Sequence, residues 1–146
     1  MILDGIELKH INLLVDIYNY ISIKYTIPVG GDDSDKVDNG ITLTLAKGDE
    51  NFIPLNSKEV KHPKEGEVVY RDDKEILCRR WNWRECDKSK MSAETKNAVL
   101  VVEGLPPVSK DVVSTIITEL GLLIEKFCGG EIKTLILDMD NPETEF

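Results

Sequence analysis

Apolar residues recur along this chain at two spacings, one helical and one extended. Ile11, Leu14, Val15, Tyr18, Ile21, Ser22 and Tyr25 follow intervals of three and four, which predicts a helix over 11–25 packed on a core. Pro28 and Gly30-Gly31 stop it, and the acidic run Asp32, Asp33, Asp35, Asp38 reads as a loop. Ile41 to Ala46 alternates apolar residues with threonine, as a half-buried strand does, and Phe52 to Leu55 is a second, short candidate. Val68 to Tyr70 and Ile76 to Trp81 flank Asp72-Asp73-Lys74, the layout of a β-hairpin. The unbroken apolar run Ala98 to Val102 suits a central strand buried on both faces. After Pro106-Pro107, Ser109 caps a helix reaching about Phe127, and Gly129-Gly130 end it. One last strand is expected at Thr134 to Leu137. Helices and hairpins interspersed in this order predict an α+β fold with a mixed sheet.

A chain of 146 residues can bury a core without metal or disulfide support, and 41% hydrophobic with 31% charged residues is the balance of a packed globular domain. One domain over 1–137 is expected, followed by a frayed acidic tail over 138–146. No apolar run approaches the roughly 20 residues of a membrane span, and Met1 to His10 lacks the pattern of a leader. The expected location is cytoplasmic, with no membrane partner. Cys78, Cys86 and Cys128 contain no CxxC pair, so they read as reduced thiols, with no metal site and no cofactor implied. The net charge of −9 repels nucleic acid at long range, so any RNA contact must use a local basic patch.

Such a patch exists in Arg79-Arg80-Trp81-Asn82-Trp83-Arg84-Glu85. If the strand continues through it, Arg80, Asn82 and Arg84 share one face and Trp81 and Trp83 the other. Two guanidinium forks could then clamp a carboxylate or phosphate, with Asn82 reading a polar edge. The plainer reading puts both indoles in the core and pairs the arginines with surface carboxylates; alternatively the indoles stack a base or aromatic ligand. Gly30-Gly31, leading to Asp32-Asp33, either offers backbone N–H groups to a ligand or merely turns the chain, and it matches neither common phosphate-binding glycine motif. Candidate ligand-binding residues are Gly30, Gly31, Asp33, Arg79, Arg80, Trp81, Asn82 and Arg84. Glu103, just past the apolar run, could serve as a base or simply be solvated. His10 and His62 show no triad around them.

Several segments, in order, carry a family resemblance. Asn12 to Tyr20 resembles the NNVVDVTNYV opening of the editing domain, also called the B-three/four domain, of the phenylalanyl-tRNA synthetase β subunit. Ile27 to Asp33 falls where that family has QPLHAFD, and Asp35-Lys36-Val37 is similar to its DKI. Ile41 to Leu55, Glu67 to Asp73 and Glu94 to Asn97 resemble its IxxRxAxxGExxxxL, DLVIADD and ETKN segments. The chain looks most like small stand-alone relatives that share GG, RRWNWR and VVEG, and relative to them it looks shortened at its N-terminus.

The resemblance implies a sandwich-like α+β fold with flanking helices and, in the synthetase, hydrolysis of mischarged tRNA. The family's histidine falls on Gly30, and its glycine-rich turn becomes Trp81 to Glu85, which reshapes the implied amino-acid pocket. Its glutamate after ETKN falls near Val101, with Glu103 two residues on and on the same face. Three functions follow as expectations. The first is an RNA-associated domain recognising tRNA or an aminoacyl terminus. The second is a trans-acting hydrolase of mischarged aminoacyl-tRNA, with Asn82 and Glu103 at the ester. The third is a module for a small anionic metabolite or a protein partner. A complete synthetase is excluded, because charging needs a catalytic domain for which the chain has no room.

Overall fold

The computed structural model describes residues 10–145; the opening of the expected domain, Met1 to Lys9, and the last residue of the expected tail, Phe146, lie outside them. The chain divides into two compact units, Gly30–Val101 and the flanking pair Met1–Val29 with Val102–Phe146.

The flanking unit is helical. Helix α1, Leu13–Tyr25, starts where the Asn12 side chain accepts the Val15 N–H at 2.8 Å and stops at Thr26, in left-handed conformation. Val15, Ile17 and Ile21 are its buried residues, whereas Ile11, assigned to the core face by spacing, precedes the helix and is exposed. Helix α2, Lys110–Phe127, is capped by Ser109, whose hydroxyl accepts the Val112 N–H, and buries Ile116 and Leu120. The two helices pack together, and Glu119 of α2 accepts hydrogen bonds from Lys24, at 2.5 Å, and from the Tyr25 hydroxyl. Gly104 fits beneath α2, because a Cβ there would lie 2.4 Å from Val113 Cγ2.

The strand expected at Thr134 to Leu137 does not form. Extended backbone needs a neighbouring edge, and among the described residues none pairs with it. The chain is tied down further on instead, where Asp138 accepts Lys110 at 2.5 Å and the N–H groups of Asp140 and Asn141.

The unit Gly30–Val101 is built on strands. β1 is Val29–Asp33, β2 Thr42–Leu45, β3 Val68–Arg71, β4 Ile76–Arg79, β5 Arg84–Glu85 and β6 Ala98–Val102. β2-β3-β4-β5 form a four-stranded antiparallel sheet. β1 pairs with β6, and bonds from Glu103 N–H to Pro28 O and from Ser34 N–H to Asn97 O run the two strands in opposite directions. The α+β class therefore holds, with antiparallel sheets where a mixed sheet was expected. β6 is not central: among the described residues it has β1 as its one neighbour, and most of its side chains are half-buried.

Residues 29–33 form β1 rather than the expected stop and loop, and the glycines make this possible. A Cβ on Gly31 would stand 2.4 Å from Leu100 Cδ2, 2.7 Å from Met91 Cε and 2.8 Å from the Val99 carbonyl oxygen. Only a bare Cα lets β6 and Met91 approach this closely. The core of this unit is Ala46, Phe52, Val69, Ile76, Leu77 and Cys86. The hairpin turn is closed by Asp72, whose buried carboxylate accepts the N–H groups of Lys74 and Glu75, at 2.8 Å each, and of Asp38. Lys88 bridges Asp72 and Asp38 at 2.5 Å each, which satisfies the remaining charge of that carboxylate. Phe52 and Pro54 make single bridges, to Lys61 and Cys86, in place of a short strand.

Candidate functional site

The arginine-tryptophan stretch is a turn between β4 and β5. β4 ends at Arg79, and Arg80 and Trp81 then take positive φ, 52° and 68°, a conformation rare in residues other than glycine. Bonds from Trp81 N–H to Val68 O, at 2.8 Å, and from Trp83 N–H to Arg79 O close the turn, and the chain returns as Arg84–Glu85. Strand alternation fails here, so the expected faces, with Arg80, Asn82 and Arg84 on one side and both indoles on the other, are not those of the folded chain.

Arg79 is an internal residue. It donates through Nε and Nη2 to the two oxygens of Glu67, both at 2.8 Å, and its side chain is 14% exposed against 10% for Glu67. The pairing holds the Glu67 carboxyl down at about 2, chiefly through the Arg79 hydrogen bonds. Arg79 lies directly opposite Arg84 across the β4 and β5 pair. With Glu67 neutralising it, that like-charge pairing carries little repulsion.

Arg80 and Arg84 converge on Trp83. Their guanidinium carbons lie 5.0 and 4.5 Å from the centroid of its indole, and Trp83 is 58% exposed. The result is a surface of two cations around one aromatic ring, with Asn82 exposed between them in sequence. Trp81 is the more buried indole, and its Nε1 is enclosed without a hydrogen-bond partner. The tryptophan available for stacking is Trp83, whereas the candidate ligand-binding residues read from the sequence include Trp81 and not Trp83. Nothing in the pattern of residue types reveals the two left-handed residues that turn it outward.

The other candidates are placed differently. Gly30 lies beside Glu85, with room for an ordinary contact, while Gly31 is consumed by close packing. Asp33 is buried: its carboxylate accepts the Thr95 hydroxyl at 2.8 Å, pairs with Lys36 at 2.9 Å and caps the 3-10 turn Ser34–Lys36. Those partners give Asp33 a structural task. Glu103 is half-buried just past β6, and its N–H donates to Pro28 O at 3.1 Å. Asn82 belongs to the Gly30–Val101 unit and Glu103 to the flanking one.

Under the β1 strand, the Ser89 hydroxyl donates to Asp32 and lies 3.2 Å from Cys86 Sγ. Burial raises both the Asp32 carboxyl and the Cys86 thiol above their ordinary values. Burial, with Glu85 nearby, also pushes the Cys78 thiol up. Thiols in this state are poor nucleophiles. Among the described residues, no group of three or more His, Cys, Asp or Glu side chains could hold a metal ion, and no helix is long and apolar enough to cross a membrane.

Comparison with known proteins supplies the relationship. The family described as the B3/4 domain matches residues 2–129. The phenylalanine–tRNA ligase β subunit of Fusobacterium nucleatum subsp. nucleatum is 34% identical over 70 residues, covering 48% of this chain and 9% of that protein. The corresponding subunit of Chromobacterium violaceum is 38% identical over 71 residues, with the same two coverages. The chain thus spans about a tenth of the length of these relatives. In three dimensions it is similar to an N-terminal fragment of the phenylalanyl-tRNA synthetase β subunit from Pyrococcus horikoshii, with a TM-score of 0.54 and 18% identity over 74% of this chain and 40% of that fragment. That likeness is one of fold. Since the family match runs through both compact units and covers most of the sequence, the chain belongs to the B3/4 domain family.

Proposed function

We propose that the chain is an RNA-associated binding domain that recognises tRNA or an aminoacyl terminus through Arg80, Asn82, Trp83 and Arg84. The observation that carries this reading is the convergence of two guanidinium groups on one exposed indole. A nucleobase offers a π-face for Trp83, and the phosphates on either side of it offer anions for the arginines. In a chain of net charge −9 this is a cationic surface where nucleic acid can approach despite the long-range field. Membership of a family with phenylalanine–tRNA ligase β subunits among its relatives supports the same ligand class and a cytoplasmic location.

The test is binding of a panel of aminoacylated and uncharged tRNAs at low and moderate salt, with deacylation followed in parallel. Two phosphate contacts give a slope of about −1.4 for log affinity against log salt on single-stranded RNA. Arg80→Ala and Arg84→Ala should each weaken binding by roughly tenfold, the effect of losing about 1.4 kcal/mol. Hydrolysis abolished by Glu103→Ala would replace this reading with a deacylase. Small-anion binding that tRNA does not compete away would replace it with a metabolite module.

A further inference from the structure

The arginine-tryptophan surface depends on a turn that its own residues do not favour. Arg80 and Trp81 are successive residues at positive φ, and neither is glycine. Such a conformation costs roughly 1 kcal/mol or more per residue and persists only where its surroundings hold it. The hold comes from the start of β3. The Glu67 carboxylate takes Nε and Nη2 of Arg79 at 2.8 Å each and the Lys64 N–H at 3.3 Å. Next to it, Val68 O takes the Trp81 N–H. Two adjacent residues therefore hold the turn on either side of Arg80, Glu67 through the Arg79 side chain and Val68 through the Trp81 N–H.

We infer that Glu67 is the positioning residue of the cation-indole surface: by fixing Arg79, the residue that leads into the left-handed pair, it brings the Arg80 and Arg84 guanidinium groups together on Trp83. Glu67 itself points inward to Arg79 and is not part of the exposed surface. Without its charge and second acceptor oxygen, the left-handed residues relax, Arg80 leaves the indole, and Trp83 loses one of its two covering cations. This positioning role is a property of the turn alone. Its consequence for RNA rests on the function proposed above.

The experiment uses the full chain carrying Trp81→Phe, so that Trp83 is the sole remaining tryptophan of the two. Acrylamide quenching of Trp83 fluorescence is compared with and without Glu67→Gln, which keeps the shape of the side chain. A second variant, Arg79→Lys, keeps the charge but loses the fork. Circular dichroism and thermal melting verify that each variant is folded. Both substitutions should raise the quenching constant by about twofold, as a cation leaves the ring, and in the folded variants tRNA affinity should drop by roughly tenfold. Unchanged quenching in folded Glu67→Gln and Arg79→Lys proteins would overturn the inference, even if their melting temperatures fell. Raised quenching in a protein that binds no RNA before substitution would uphold the positioning role and refute the RNA reading.

Discussion

Arg80 and Trp81 show how single residues can give up stability for a surface. Replacing Arg80 by glycine removes a side chain from a backbone at φ 52° and relieves the strain there. Urea denaturation of Arg80→Gly should show a gain of about 0.5–1 kcal/mol, while RNA binding falls; a loss of stability would mean that the Arg80 side chain contributes packing beyond its contact with Trp83. Gly31 is the opposite case. Its replacement by alanine drives a Cβ into Leu100, Met91 and a backbone oxygen, and should cost about 1–3 kcal/mol in the same measurement. Sequence reading singled out both glycines but not the reason for Gly31, because close approach of another strand is a property of the folded chain. The basic cluster of Arg80 and Arg84 is likewise legible in the sequence, but the exposure of Trp83 rather than Trp81 is not, because neither positive φ has a signature in residue type. Glu67 went unnoticed for a related cause: it is twelve residues from Arg79 and gains its role only through strand pairing.

Elements with a strong period were legible, and those without one were not. Helices α1 and α2 and the β3 to β4 hairpin lie within a few residues of their expected bounds, since apolar spacing and the Asn12 and Ser109 caps act locally. Ser109→Ala should lower stability by about 1 kcal/mol through loss of the Val112 bond, readable as a drop in the urea midpoint with unchanged slope. β1 was obscured by its glycines, the central role given to β6 by its apolar run, and the last expected strand by the lack of an edge to join. The β4 to β5 turn also has a pH signature. Folding holds the Glu67 carboxyl at about 2 against an ordinary 4.5, so the unfolded chain takes up that proton first as pH falls. Its stabilisation is complete above about pH 4.5 and is lost as pH falls through 2. The stability gap between the parent protein and Glu67→Gln, followed by thermal melting, should therefore close progressively across that window. A gap independent of pH there would show that the Glu67 carboxylate does not stabilise the turn.

A chain with 27 acidic and 18 basic residues is a poor general binder of nucleic acid, so whatever RNA affinity it has must be local and modest in salt dependence. The B3/4 family relationship covers both compact units and supplies the fold, while Arg80, Trp83 and Arg84 form the cation-indole surface on which the proposed function rests. The most direct test of that chemistry is a titration of the Trp81→Phe protein with tRNA, watching Trp83 fluorescence at two salt concentrations. Stacking of a base on Trp83 predicts saturable quenching that weakens at the higher salt and disappears when Arg80 and Arg84 are both replaced by alanine. Fluorescence that stays constant while tRNA binds would show that the RNA lies elsewhere on the molecule, and would contradict the central claim.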